Sequence, residues 1–202
     1  MTHKSHALIW ISLASLIGVA QADDKKAPAA APPPADSKRP PPVDPVKPPE
    51  APKPAAEIAD GVKAMSGTWK CTGTADMGGT MMDLKATITH KVDLDGFYIQ
   101  SNLVATAGKL PPFKFTMYRT FDAASKKWWR ARVNARGGHG VEWGTPNGNK
   151  VAWEGEARMM GNDMKTRETE EMVGPKEFHV MGELSKDGGK TWSKDHDATC
   201  KK

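Results

Sequence analysis

The residues best suited to chemistry in this chain are His90, Arg119, Glu168, Glu170 and His196. An imidazole beside a carboxylate can exchange a proton, and either beside a guanidinium can orient a ligand's polar head. None of them sits in a catalytic motif. The chain has no Gly-x-Ser-x-Gly elbow, no zinc-ligand spacing and no phosphate-binding glycine loop. A single inward histidine more often completes a core hydrogen bond than acts as acid or base. The residues therefore point to a non-catalytic protein that needs no cofactor. Trp129 and Trp153 join His90, Arg119, Glu168 and His196 as candidate walls of a binding cavity.

Two further groups have chemistry available to them. Ten methionines lie beyond the proline-rich segment. Met77, Met81 and Met82 cluster in one stretch, and Met159, Met160 and Met164 in another. Thioethers are soft ligands that select Cu(I). Flexible methionines also suit an apolar cavity mouth, or simply fill gaps in a core. Lys126, Trp128, Arg130, Arg132, Asn134 and Arg136 alternate along one stretch. On an outer strand face they would form a basic, aromatic stripe able to bind an acidic cell-envelope polymer. Most such stripes are only solvated strand faces. Export to a compartment without nucleic acid removes nucleic acid as a partner.

The elements that must position these residues begin well into the chain. Residues 1–22 read as a secretory signal peptide. Lys4 is followed by an apolar run from Ala7 to Ala20, then Ala20-Gln21-Ala22 as a cleavage site. The run is too short for a membrane span, so none is expected after cleavage. Residues 23–57 form a proline-rich linker. Twelve of the 16 prolines fall between Pro28 and Pro54, a composition that favours extended structure and disorder over a packed core. The domain is then 58–202, with 22 Lys and Arg against 18 Asp and Glu. That balance bears on solubility rather than on a partner.

Ala56 to Met65 has modest helical character and would close one end of a barrel. From Gly67 the chain alternates apolar and polar residues, with turn signals such as Asp95-Gly96, Pro146-Asn147-Gly148 and Asp187-Gly188-Gly189. Ten strands are expected: 67–74, 83–92, 96–106, 113–121, 127–135, 139–144, 149–158, 163–172, 176–184 and 190–200. Short connections favour up-and-down order. The fold class is thus an all-β antiparallel barrel. Alternation turns Leu84, Ala86, Ile88, His90 and Val92 inward, as it does Phe113, Phe115, Met117, Arg119 and Phe121. It also turns in Trp129, Ala131 and Val133, and Phe178, Val180 and Gly182. On 163–172 the inward set (Met164, Thr166, Glu168, Glu170, Met172) is mainly polar. Either the interior is wet there or the register differs.

Closure places the last strand beside the first, with Cys71 and Cys200 near one rim and pointing the same way. These are the only two cysteines, and an exported chain is expected to pair them across roughly 130 residues. Localisation in the periplasm or outside the cell follows from the same features.

Gly67-x-Trp69 opening a first strand after a short helix resembles the start of the lipocalin and fatty-acid-binding barrels, the calycin group. Thr120-Phe121-Asp122 through Trp128-Trp129 is similar to a pattern in lipocalin-like bacterial secreted families of unknown function. The resemblance implies a barrel with a cavity for a small apolar ligand. Ser185 to Trp192 resembles the Asp-box, which implies a hairpin whose aspartate caps backbone N–H groups above a packed tryptophan. Sialidases repeat that box; one copy implies a structural turn. The intact mass of the exported protein checks the processing. It should begin at Asp23 and be two protons lighter than the reduced chain.

Overall fold

The computed structural model describes residues 50–202. The expected signal peptide and most of the expected linker lie outside the described residues. A helix α1 (Ala56–Met65) precedes ten strands: β1 (Gly67–Asp76), β2 (Met81–Asp93), β3 (Tyr98–Ala107), β4 (Phe113–Asp122) and β5 (Lys127–Asn134), then β6 (His139–Asn147), β7 (Lys150–Met159), β8 (Asn162–Gly174), β9 (Glu177–Ser185) and β10 (Ser193–Lys201). Each strand pairs antiparallel with its sequence neighbours, and β1 pairs with β10, so the sheet closes into a ten-stranded up-and-down barrel. Among the described residues no strand edge is left unpaired to recruit another chain.

The ten expected strands all form, and their ends differ by a few residues. The turns between them use the residues that such turns require. Asp122 Oδ1 accepts from the Ala124 N–H and Oδ2 from the Ser125 hydroxyl, stopping β4 before β5 begins. In the last connection Asp187 Oδ1 accepts from the Lys190 and Thr191 N–H groups at 2.9 Å each, and Oδ2 accepts from the Thr191 hydroxyl at 2.6 Å. Trp192 donates Nε1–H to the Gly189 carbonyl, and the Arg167 guanidinium stacks 4.3 Å from its ring. The Asp-box stretch is a capped turn.

The helix closes one end of the barrel. It buries Ile58 and Met65, and it contacts β2, β3 and β4. Gly61 permits the approach: a Cβ there would lie 3.0 Å from the Trp128 ring and 3.1 Å from Ile99. Met65 is tied in place, its carbonyl accepting from Trp69 Nε1 at 2.7 Å. Lys202 stacks on the same indole, 4.6 Å from its centroid. Among the described residues no helix is long and apolar enough to cross a membrane.

The interior has two unlike halves. Under β1–β3, β9 and β10 lies an apolar cluster that includes Trp69, Leu84, Ile88, Phe178 and Ala198. Trp69 and Phe178 meet edge to face at 4.9 Å. The Cys71–Cys200 disulfide crosses this half, between residues directly paired on β1 and β10. Under β4–β8 the buried polar side chains are Arg119, Arg130, Glu142, Thr166 and Glu170, set around Trp153.

Alternation is right for most strands and wrong for one. Leu84, Ala86, Ile88 and His90 are buried, but Val92 is 50 % exposed, where β2 runs past the start of β1, whose pairing ends at His90. The polar set on β8 does face inward, so its register is as expected and its interior is charged. On β5 the faces are reversed. Arg130 is 2 % exposed, whereas Val133 is 55 % exposed on the outer surface.

The disulfide joins residues 129 apart. Cys200→Ser is expected to lower unfolding stability by about 4 kcal/mol through the longer loop released in the unfolded chain. Urea unfolding of the variant and of the reduced wild type checks this, and both should shift alike.

Candidate functional site

Barrel strands alternate in direction, so the connections β1–β2, β3–β4, β5–β6, β7–β8 and β9–β10 gather at the end opposite α1. A cavity of about 510 Å³ runs from these connections into the barrel. Met77, Leu110, Arg136, Met160 and Lys186 line its mouth, and Phe113, Phe115, Leu103 and Val180 line its walls. Its floor is made by His90, Arg119, Arg130, Glu168, Glu170 and His196.

The floor is an ion-pair lattice spanning the lumen. Arg119 on β4 donates from both Nη atoms to Glu170 on β8, at 2.9 and 3.1 Å. Arg130 on β5 donates Nε–H to Glu142 on β6 at 2.6 Å and Nη1–H to Glu168 on β8 at 2.7 Å. The second Glu142 oxygen accepts from the Thr166 hydroxyl at 2.7 Å and lies 3.2 Å from Arg132. His196 bridges from β10, with Nε2 3.3 Å from Glu168 and Nδ1 2.8 Å from Asp195. Both oxygens of each glutamate are engaged, which is what keeps buried carboxylates charged.

Local sequence makes room for these side chains. Gly155 pairs with Glu142, and a Cβ there would strike the Glu142 backbone and side chain. Gly182 faces His196, where a Cβ would collide with the imidazole. The Arg119 and Arg130 guanidiniums lie over the Trp153 ring at 5.4 and 4.2 Å from its centroid.

The electrostatics follow from the partners. Burial opposes ionisation of Glu168, but Arg130 and His196 outweigh it and hold its carboxyl well below the usual range. Burial likewise opposes the charge on Glu142, and Arg130 with Arg132 lower its pKa. Burial works against a charged His196 too, yet its hydrogen bonds to Asp195 and Glu168 raise its pKa to about 9. His90 behaves oppositely. Its Nδ1 meets the Ser101 hydroxyl at 2.7 Å, and burial, then the charges of Arg119 and Lys202, push its pKa down to about 3.

Of the residues proposed from sequence, His90, Arg119, Glu168 and His196 line this one cavity, and Trp153 is buried beside the two arginines. Trp129 does not: it sits on the outer face of β5, opposite Trp143, which is 44 % exposed. The basic stripe is corrected by the same reversal. Arg130 and Arg132 point into the lumen, so they cannot serve an envelope polymer at the surface. Their true partner Glu142, the most buried acid of the lattice, carries no local signal beyond alternation on β6. Met77, Met159, Met160 and Met164 line the cavity, whereas Met81 and Met82 do not. Met77 follows β1 and the other three belong to the β7–β8 hairpin, with β9 and β10 between them. Among the described residues no cluster of His, Cys, Asp and Glu could hold a metal. Compared with known proteins, the chain matches no family model and no curated sequence.

The two histidines give stability a maximum near pH 6.5, their shared unperturbed value. Below it the unfolded chain protonates His90 while the fold does not, so acid destabilises. Above it the unfolded chain loses the proton that His196 keeps, so alkali destabilises as pH rises through about 9. The expected net losses from that maximum are about 1 kcal/mol by about pH 5 and about 2 kcal/mol by about pH 9.5. Urea midpoints across pH check this. His196→Gln should flatten the alkaline limb alone, and an unchanged limb contradicts the role given to His196.

Proposed function

We propose that this chain is a non-catalytic, calycin-like barrel of an oxidising, extracytoplasmic compartment that takes a small, mainly apolar molecule into its lumen. The observation carrying the reading is the cavity of about 510 Å³, which begins at the mouth opposite α1 and ends on a polar floor. Small-molecule sites are commonly of about 300–1,000 Å³, apolar-walled with a few placed polar groups. The methionines at the mouth supply adaptable apolar surface.

Binding fits the floor better than catalysis. A working acid or base needs a proton within reach and a pKa near the operating pH. Glu142, Glu168 and Glu170 spend their oxygens on arginine, threonine or histidine. His90, at about 3, stays neutral at any ordinary pH. The Cys71–Cys200 disulfide suits an oxidising compartment.

Native mass spectrometry of the protein taken from its exporting cell should show an added mass of a few hundred daltons. Met117→Trp, filling the lumen from β4, should lose that passenger and retain the wild-type circular dichroism. A bare mass for the wild type, together with no uptake of a neutral fluorescent dye such as N-phenylnaphthylamine, overturns the reading.

A further inference from the structure

The floor has more hydrogen-bond donors than the protein satisfies. Among the described residues, four buried side-chain nitrogens have no partner: His90 Nε2, Arg119 Nε, Arg130 Nη2 and Trp153 Nε1. Unpaired buried polar groups are costly, and a cluster of them requires a reason. Two of the four belong to Arg119 and Arg130, which line the floor and whose guanidiniums both lie over the Trp153 ring that carries a third. The fourth belongs to His90, which lines the same floor.

All four are N–H groups. The arginine and tryptophan nitrogens donate by their chemistry. For His90 the tautomer follows from Ser101, whose side chain is fully buried and meets only Nδ1. If the Ser101 hydroxyl donates to Nδ1, only the Nε2–H is left unpaired. If Nδ1–H donates instead, both the serine proton and the Nε2 lone pair are left unpaired. The first arrangement costs less, so Nε2 carries the hydrogen.

The lattice around these donors is already balanced in charge. Arg119, Arg130, Arg132 and His196 stand against Glu142, Glu168, Glu170 and Asp195. An anionic head group would satisfy the donors but add an uncompensated buried charge. A neutral carbonyl oxygen, with two lone pairs, accepts from two such donors at no such cost.

We propose that the floor reads an uncharged carbonyl oxygen, and that the occupant is a ketone, quinone or ester. Its apolar body then lies along the Phe113, Phe115 and Leu103 wall toward the methionine mouth. This rests on the ligand-binding reading above and deepens it by naming the head group and its direction of entry.

Displacement of bound N-phenylnaphthylamine from the oxidised protein tests it, using methyl nonyl ketone, undecane and undecanoate as competitors. The ketone should displace about tenfold better than the alkane, and undecanoate should not exceed the ketone. His90→Phe should cut the ketone's advantage severalfold and leave undecane unchanged; Ser101→Ala, which frees the imidazole to change tautomer, should also reduce it. Independently of any variant, the His90 Nε2–H signal in imidazole proton–nitrogen spectra should shift with the ketone and not with undecane. Equal displacement by ketone and alkane, a preference for undecanoate, or an unmoved Nε2–H signal each overturns the carbonyl site while leaving a ligand-binding barrel standing. Failure of the dye and all three competitors to bind overturns both.

Discussion

Charge pairing across the lumen is the constraint on which the rest of this barrel depends. A guanidinium buried as deeply as Arg130 cannot stay inside without carboxylates at hydrogen-bond distance. Those carboxylates come from β6 and β8, so the faces of β5, β6 and β8 are fixed together. A one-residue slip of any of them would place a charge against an apolar wall or take one out into water. Such a lattice adds little net stability, because desolvation offsets most of its attraction. What it specifies is register.

The opposite half of the barrel is held by different means. There an edge-to-face aromatic pair, small residues such as Ala86 and Ala198, and one disulfide join the first and last strands. Dispersion and apolar burial favour that half without imposing register residue by residue. The covalent bond supplies what packing there does not, by pinning Cys71 directly opposite Cys200. Closure of the sheet therefore relies on one crosslink on the apolar side and on ion pairs on the other.

The two halves meet around the cavity, and its two ends are unlike. α1 occupies one end, its Met65 sulfur receiving an N–H from Arg119 at 3.4 Å. The connections at the other end carry methionines and cations. A molecule entering there would pass apolar walls before it meets the floor, which favours an occupant that is apolar along its length and polar at its leading end.

The sequence by itself determined the strands, the turns and the crosslink. Alternation, Gly- and Asp-rich turns and capping side chains are local signals, and the pairing of two lone cysteines follows once the last strand lies beside the first. Even the unexpected polarity of β8 was legible, since Met164, Thr166, Glu168 and Glu170 keep period two. The face of β5 was not. Trp128 and Trp129 are adjacent, so each face begins with an aromatic, and Ala131 and Val133 outweigh Arg130 and Arg132 as apparent core. Only the tertiary structure decided that the arginines go inside. Whether a charge can be buried depends on Glu142 and Glu168, 12 and 38 residues further along the chain, and no local pattern on β5 registers their presence.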